Sequence, residues 1–209
     1  MTPRVKICGI TRIEDALAAC DAGADALGFV FFARSKRFVT PKQAAMIVAR
    51  LPPFVTVTGL FVNASREEIL STAAVCRLDL IQLHGDEPPK ACRDLPGRVI
   101  KGVRVATAGD LVGLERYPVH GLLLDAKVAN QFGGTGHAFD WSILQGYRLS
   151  LPLILAGGLH PDNVAEAVWR VRPYAVDVSS GVESAPGIKD TEKMVRFIRQ
   201  VRRVALDGE

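Results

Sequence analysis

A cysteine and an aspartate each close a short apolar run, Val5-Lys6-Ile7-Cys8 near the N-terminus and Leu122-Leu123-Leu124-Asp125 past the middle of the chain. A thiol and a carboxylate at two strand exits can work as an acid/base pair, one group taking a proton from a substrate and the other giving one. His84 is a third polar strand exit, after Leu80-Ile81-Gln82-Leu83. Alternate side chains of a strand share a face. Lys6 therefore goes with Cys8, Gln82 with His84 and Leu123 with Asp125, while Val5, Ile7, Ile81 and Leu83 point the other way. Asp177 in Ala175-Val176-Asp177-Val178 falls on the inward face as well, so Lys6 is expected either in a buried ion pair with Asp177 or in a direct catalytic role.

Around these residues, apolar strand-like runs alternate with amphipathic stretches along the whole chain. Strands are expected near residues 4–8, 26–31, 55–62, 79–83, 98–103, 120–125, 152–156 and 174–178, with helices over 13–22, 41–51, 66–76, 107–116, 161–171 and 191–205. A weaker helix over 87–95 opens with two prolines. Thr40-Pro41 and Ser65, with an acid three residues after the serine, mark helix starts. Eight strands give units of about 26 residues, the spacing of parallel βαβ units. The expected fold is α/β, a single (β/α)8 TIM barrel forming one catalytic domain over 1–209; an open doubly wound sheet would give a similar pattern. No linker, low-complexity tract or clear repeat divides the chain.

The chain has 209 residues, 48% hydrophobic and 23% charged, enough for one substantial core. Its four cysteines form no CxxC pair and no metal-ligand spacing with the four histidines, so reduced thiols in a cytoplasm, and no metal, are expected. The start lacks a secretory pattern and no run of about 18 apolar residues occurs, which argues against export and membrane insertion. The net charge of +4 suits an anionic ligand. The C-terminal Arg196, Arg199 and Arg203 lie opposite Met194, Phe197, Ile198, Val201 and Ala205 at helical spacing, which reads as a solvated helix face rather than a nucleic-acid surface.

Loops after the strands add a second kind of signal. Gly157-Gly158 after the seventh strand and Ser180-Gly181 after the eighth are turns whose bare amides can approach an anion, and such barrels often hold phosphate there. Gly133-Gly134-Thr135-Gly136 reads either as a loop able to cover a ligand or as a plain flexible loop. Arg34-Ser35-Lys36-Arg37 offers a planar fork for a carboxylate, or is a solvated basic loop.

Taken in order, Lys6-Ile7-Cys8-Gly9-Ile10-Thr11, Gly28-Phe29-Val30-Phe31, Ser35-Lys36-Arg37, Gln82-Leu83-His84-Gly85, Leu124-Asp125, Gly133-Gly134-Thr135-Gly136, Gly157-Gly158-Leu159 and 176–183 resemble the phosphoribosylanthranilate isomerases of tryptophan biosynthesis. The resemblance runs from residue 4 to about residue 190. It implies a single barrel that isomerises N-(5-phosphoribosyl)anthranilate to 1-(2-carboxyphenylamino)-1-deoxyribulose 5-phosphate by an Amadori rearrangement, without a cofactor. Cys8 then matches the general base, Asp125 the general acid and Arg37 the arginine holding the anthranilate carboxylate. Gly157, Gly158, Ser180 and Gly181 match the phosphate grip; His84, Gly134 and Gly136 are candidate substrate contacts, His84 reading more readily as a histidine hydrogen-bonded within the lumen. Ala126 and His137 depart from the family's pattern beside the acid and the glycine loop. The implied partner is a small phosphorylated aminosugar, with no nucleic acid or membrane, bound by a monomer rather than a homodimer.

For these roles an ordinary aspartate is too acidic and an ordinary thiol too basic. The expectation is a protonated Asp125 against the wall of Leu122 to Leu124, opposite a Cys8 thiolate favoured by Lys6. Two rivals are another phosphosugar isomerase or epimerase and a non-catalytic phosphosugar-binding barrel. A metal-dependent epimerase would want several histidines and aspartates at strand ends, where only His84 and Asp125 fit. A non-catalytic barrel should have lost the acid or the base, and this chain keeps both.

Overall fold

The computed structural model describes residues 2–126, 141–144 and 150–206. Eight parallel strands close into a barrel in sequence order. They are β1 Arg4–Cys8, β2 Ala26–Val30, β3 Thr56–Phe61, β4 Leu80–Leu83, β5 Arg98–Val105, β6 Gly121–Ala126, β7 Leu153–Leu155 and β8 Ala175–Val178. A closed barrel leaves no sheet edge, and each expected strand is present within a residue or two of its expected bounds. The expectation of a (β/α)8 barrel holds, and the open-sheet alternative does not.

The α-helices among the described residues are α1 Ile13–Asp21, α2 Pro41–Val48, α3 Arg66–Cys76, α4 Val164–Val171 and α5 Thr191–Leu206. Both expected caps form. Thr40 and Gln43 exchange side-chain to backbone hydrogen bonds in a capping box, and Ser65 Oγ accepts from the Glu68 N–H at 3.1 Å. The stretches expected as helices over 107–116 and 87–95 are instead short 3-10 turns, Ala108–Leu111 with Leu114–Arg116, and Pro89–Cys92. Gly113, left-handed at φ +83°, breaks the first, and two prolines without N–H donors shorten the second. The helix expected over 161–171 starts only at Val164, because the Asn163 side chain bonds the His160 N–H and the Gly158 carbonyl and holds those residues as a turn. After β8 comes an unexpected antiparallel hairpin, β9 Glu183–Ala185 and β10 Ile188–Lys189, turning at Pro186-Gly187. No helix among the described residues is long and apolar enough to cross a membrane.

Two separate apolar layers follow from strand alternation. Val5, Ile7, Ile81, Leu83, Leu122 and Leu124 pack outward with the helices in the larger core. Ile100, Leu123, Ile154, Ala156 and Ala175 fill the barrel lumen. Complete burial of such side chains is worth about 1.5–3 kcal/mol each, so a one-residue slip in β1, β4 or β6 would turn apolar side chains into the lumen and charged ones among the helices. Register is therefore strongly held. It delivers Cys8, His84 and Asp125 to the C-terminal mouth.

Candidate active site

Cys8 ends β1 and is 4% exposed. A Cβ on Gly28 of neighbouring β2 would stand 2.8 Å from Cys8 Sγ and 3.1 Å from Lys6 Cε, so thiol and lysine stem fill the space that this glycine leaves. Parallel pairing puts Lys6 beside Asp177, and the expected ion pair forms at 2.6 Å between Lys6 Nζ and Asp177 Oδ1. Burial works against the Lys6 charge, yet Asp177 and the facing thiol hold its pKa above the ordinary lysine value. Removing one partner of such a buried pair typically costs about 3–5 kcal/mol, which gives Lys6 a structural task whatever it does for the thiol.

The ionisation expected for Cys8 is corrected. Burial pushes the thiol up and Asp177 adds to the rise; Lys6 and Lys189 pull it down without overcoming them. At neutral pH the resting group is a thiol. The sequence weighed the nearby lysine but not the burial that comes with a strand exit enclosed on all sides.

Asp125, 6% exposed, projects from β6 into the same mouth. The apolar wall expected around it is only partly there, since Leu122 and Leu124 face the helices and Leu123 alone shares the lumen. Its close partner is His84. Gln82 Nε2 lies 3.0 Å from His84 Nδ1, and His84 Nε2 stands 3.3 Å from Asp125 Oδ2 without hydrogen-bond alignment. A Gln82 amide donating to Nδ1 places the histidine proton on Nε2, toward the carboxylate. The expected lumenal convergence of polar strand-end groups thus exists, with His84 beside the Asp125 carboxyl.

The glycine turns meet each other. Gly157 and Gly158 have φ of +82° and +65°, and among the described residues no protein acceptor takes up either N–H. Ser180 and Gly181 lie in a 3-10 turn, Ser180–Val182, and a Cβ on Gly181 would collide with the backbone carbonyl of Leu159. The two turns can therefore offer N–H groups to one anion only while position 181 lacks a side chain. Gly181→Ala is expected to raise KM for a phosphorylated substrate about tenfold or more while changing kcat less, and to cost about 1–3 kcal/mol of stability from the overpacking. Steady-state kinetics with a urea melt would check both.

Arg37 stands in the loop after β2, its backbone N–H bonded to Ser35 Oγ at 3.1 Å. Its side chain is not a free fork, because Nε and Nη2 each donate to Glu183 at 2.7 Å. Burial pushes Glu183 up, but Arg37 and Lys189 outweigh it and hold its carboxyl below the usual range. Glu183, which the sequence shows only as the end of the 176–183 motif, and Lys189 were given no role by sequence reasoning, yet both belong to the Arg37 network. Pro186-Gly187 between two charged residues is the hairpin signal that would have found them. Gly134 and Gly136 lie outside the described residues. A cavity of about 420 Å³ opens among Arg4, Phe54, Arg98 and His120 at the barrel's opposite mouth, away from these groups.

A thiol on β1 and a carboxyl on β6, both at one barrel mouth, are groups able to move protons within a single substrate, the work of the (β/α)8-barrel isomerases. Comparison with known proteins narrows the class. The family model for N-(5'-phosphoribosyl)anthranilate (PRA) isomerase matches residues 5–200. The N-(5'-phosphoribosyl)anthranilate isomerase of Magnetococcus marinus is 59% identical over 208 residues, covering 100% of this chain and 99% of that one. The crystal structure of phosphoribosyl anthranilate isomerase from Thermotoga maritima superposes with a TM-score of 0.91 at 46% identity, over 96% of this chain and 99% of that one. A phosphoribosyl anthranilate isomerase in complex with reduced 1-(o-carboxyphenylamino)-1-deoxyribulose 5-phosphate superposes at 0.88 with 45% identity, over 96% and 99% of the two chains. The chain belongs to the N-(5'-phosphoribosyl)anthranilate isomerase family.

Proposed function

We propose that this chain catalyses the Amadori rearrangement of N-(5-phosphoribosyl)anthranilate to 1-(2-carboxyphenylamino)-1-deoxyribulose 5-phosphate in tryptophan biosynthesis, with Asp125 as general acid and Cys8 as general base. The observation that carries the reading is the joint delivery of Cys8, His84 and Asp125 to one mouth by strand register, with the 157–158 and 180–181 turns in contact beside it.

The substrate's furanose ring opens when Asp125 gives a proton to the ring oxygen as the anilino nitrogen forms an imine to C1. Removal of the C2 proton by Cys8 as thiolate then gives an enolamine. In the final tautomerisation C1 gains a proton and the C2 hydroxyl loses one, leaving the ketone, so protons balance over the sequence. The amides of Gly157 and Gly158, with the Ser180-Gly181 turn, hold the phosphate, and Arg37 holds the anthranilate carboxylate. His84 orients Asp125. Four free cysteines suit a reducing cytoplasm.

The test is loss of phosphoribosylanthranilate fluorescence on adding purified protein in chelator. Conversion at turnover rates is the expected result. Tight binding of a phosphosugar without any conversion would instead favour a barrel that binds ligand and does no chemistry.

A further inference from the structure

The hairpin after β8 carries two buried charges outside the acid/base pair. The Lys189 side chain is fully enclosed, and its Nζ donates to the Cys8 carbonyl at 2.6 Å, to Glu183 Oε1 at 2.9 Å and to the Ser179 carbonyl at 3.2 Å. Glu183 in turn places Oε1 on Arg37 Nε and Oε2 on Arg37 Nη2. The arm of Arg37 runs past the residue after the base, since a Cβ on Gly9 would stand 2.5 Å from Arg37 Cδ. One lysine thus ties together the end of β1, the turn leading to Ser180-Gly181, and the arginine beside them.

A guanidinium has five N–H donors in a planar fork. Glu183 uses the edge formed by Nε and Nη2, which leaves Nη1 and the second Nη2 N–H as another edge able to grip a carboxylate in bidentate fashion. Charge decides whether that edge attracts one. Arg37 and Glu183 alone sum to zero; adding Lys189 returns the group to one positive charge. The lysine cannot itself reach a ligand, being enclosed and spent on protein oxygens of Cys8, Ser179 and Glu183.

We propose that Lys189 is a positioning residue for the carboxylate end of the substrate: it neutralises Glu183, which holds the Arg37 fork in plane, so that the fork's second edge keeps its full charge for the ligand. This rests on the reading of Arg37 as the carboxylate-binding residue.

The experiment measures equilibrium binding of two probes, reduced 1-(2-carboxyphenylamino)-1-deoxyribulose 5-phosphate and the same molecule with a plain phenyl ring. The ratio of their affinities reads the carboxylate grip, and binding of the phenyl probe certifies a folded site. Lys189→Met should lower the ratio about tenfold. Glu183→Gln, which keeps an acceptor toward the fork while losing the negative charge, should leave the ratio at or above wild type, and the double variant should return it to near wild type. Two substitutions that break one ion pair would then differ in outcome, one lowering the ratio and the other not, whereas loss of a merely structural pair would lower it in both. A fall in both single variants, or an unchanged ratio in Lys189→Met, overturns the proposal. If Lys189→Met does not fold, a ratio below wild type in Glu183→Gln overturns it alone. Arg37→Met tests the underlying reading separately, for a wild-type ratio there removes Arg37 from carboxylate binding whatever the other variants do.

Discussion

Replacing Asp125 with asparagine should lower kcat by about 10² to 10⁴ with little change in KM. The substitution keeps size and shape in a position 6% exposed, so strand β6 and its lumenal packing are preserved. It also keeps an oxygen facing His84 Nε2, now 3.3 Å from the carboxylate. What it removes is a group able to hand over a carboxyl proton as the ring oxygen leaves. An amide can still donate a hydrogen bond to that oxygen, which retains part of the binding and none of the proton transfer. A rise in KM with kcat intact would mean that Asp125 only binds, and near wild-type turnover would take it out of the chemistry. Fluorescence-monitored kinetics on both proteins, with matched thermal melts, separates the three cases.

The barrel and the positions of its strand-end groups were legible because burial on both sides of a parallel strand imposes a period of two that single residues betray. Lys6 and Cys8, Gln82 and His84, and Leu123 and Asp125 could be placed in the lumen from their apolar neighbours alone, and the Lys6–Asp177 pair followed from β1 and β8 being adjacent in a closed barrel. Residues 107–116 were harder. Their apolar spacing looked helical, and only the local conformation at Gly113 decides against it. The Arg37–Glu183–Lys189 network was not legible. Arg37 and Glu183 are 146 residues apart in the chain, and no local pattern says which of several loop charges will meet. The state of the Cys8 thiol escaped for a different reason: it is a balance between burial and three nearby charges, and sequence supplies the charges without their distances.

That balance leads to the second large effect. Cys8→Ser should lose about 10² to 10⁴ in kcat, as much as Cys8→Ala. Serine preserves the volume and a donor at the end of β1, so a cysteine acting only as a small filler would tolerate it. A hydroxyl ionises far less readily than a thiol, so a cysteine acting as base would not. The pH profile tests the same role with a definite sign. The base works as thiolate, and burial with Asp177 raises the pKa of Cys8 above the ordinary thiol value against the pull of Lys6 and Lys189. The limb of kcat/KM governed by Cys8 must therefore climb as pH rises through the alkaline range, because only the free enzyme's ionised fraction is competent. The linkage to folding runs the other way. A raised folded-state pKa means stability that is present below the unfolded thiol's pKa and lost as pH rises through the folded one. Wild type should thus gain activity and lose stability over one alkaline interval, and Cys8→Ala should lose the Cys8 part of both trends. An activity profile flat through that interval in wild type would show that Cys8 is already ionised at neutral pH or is not the base, and the residual rate of Cys8→Ser would tell which.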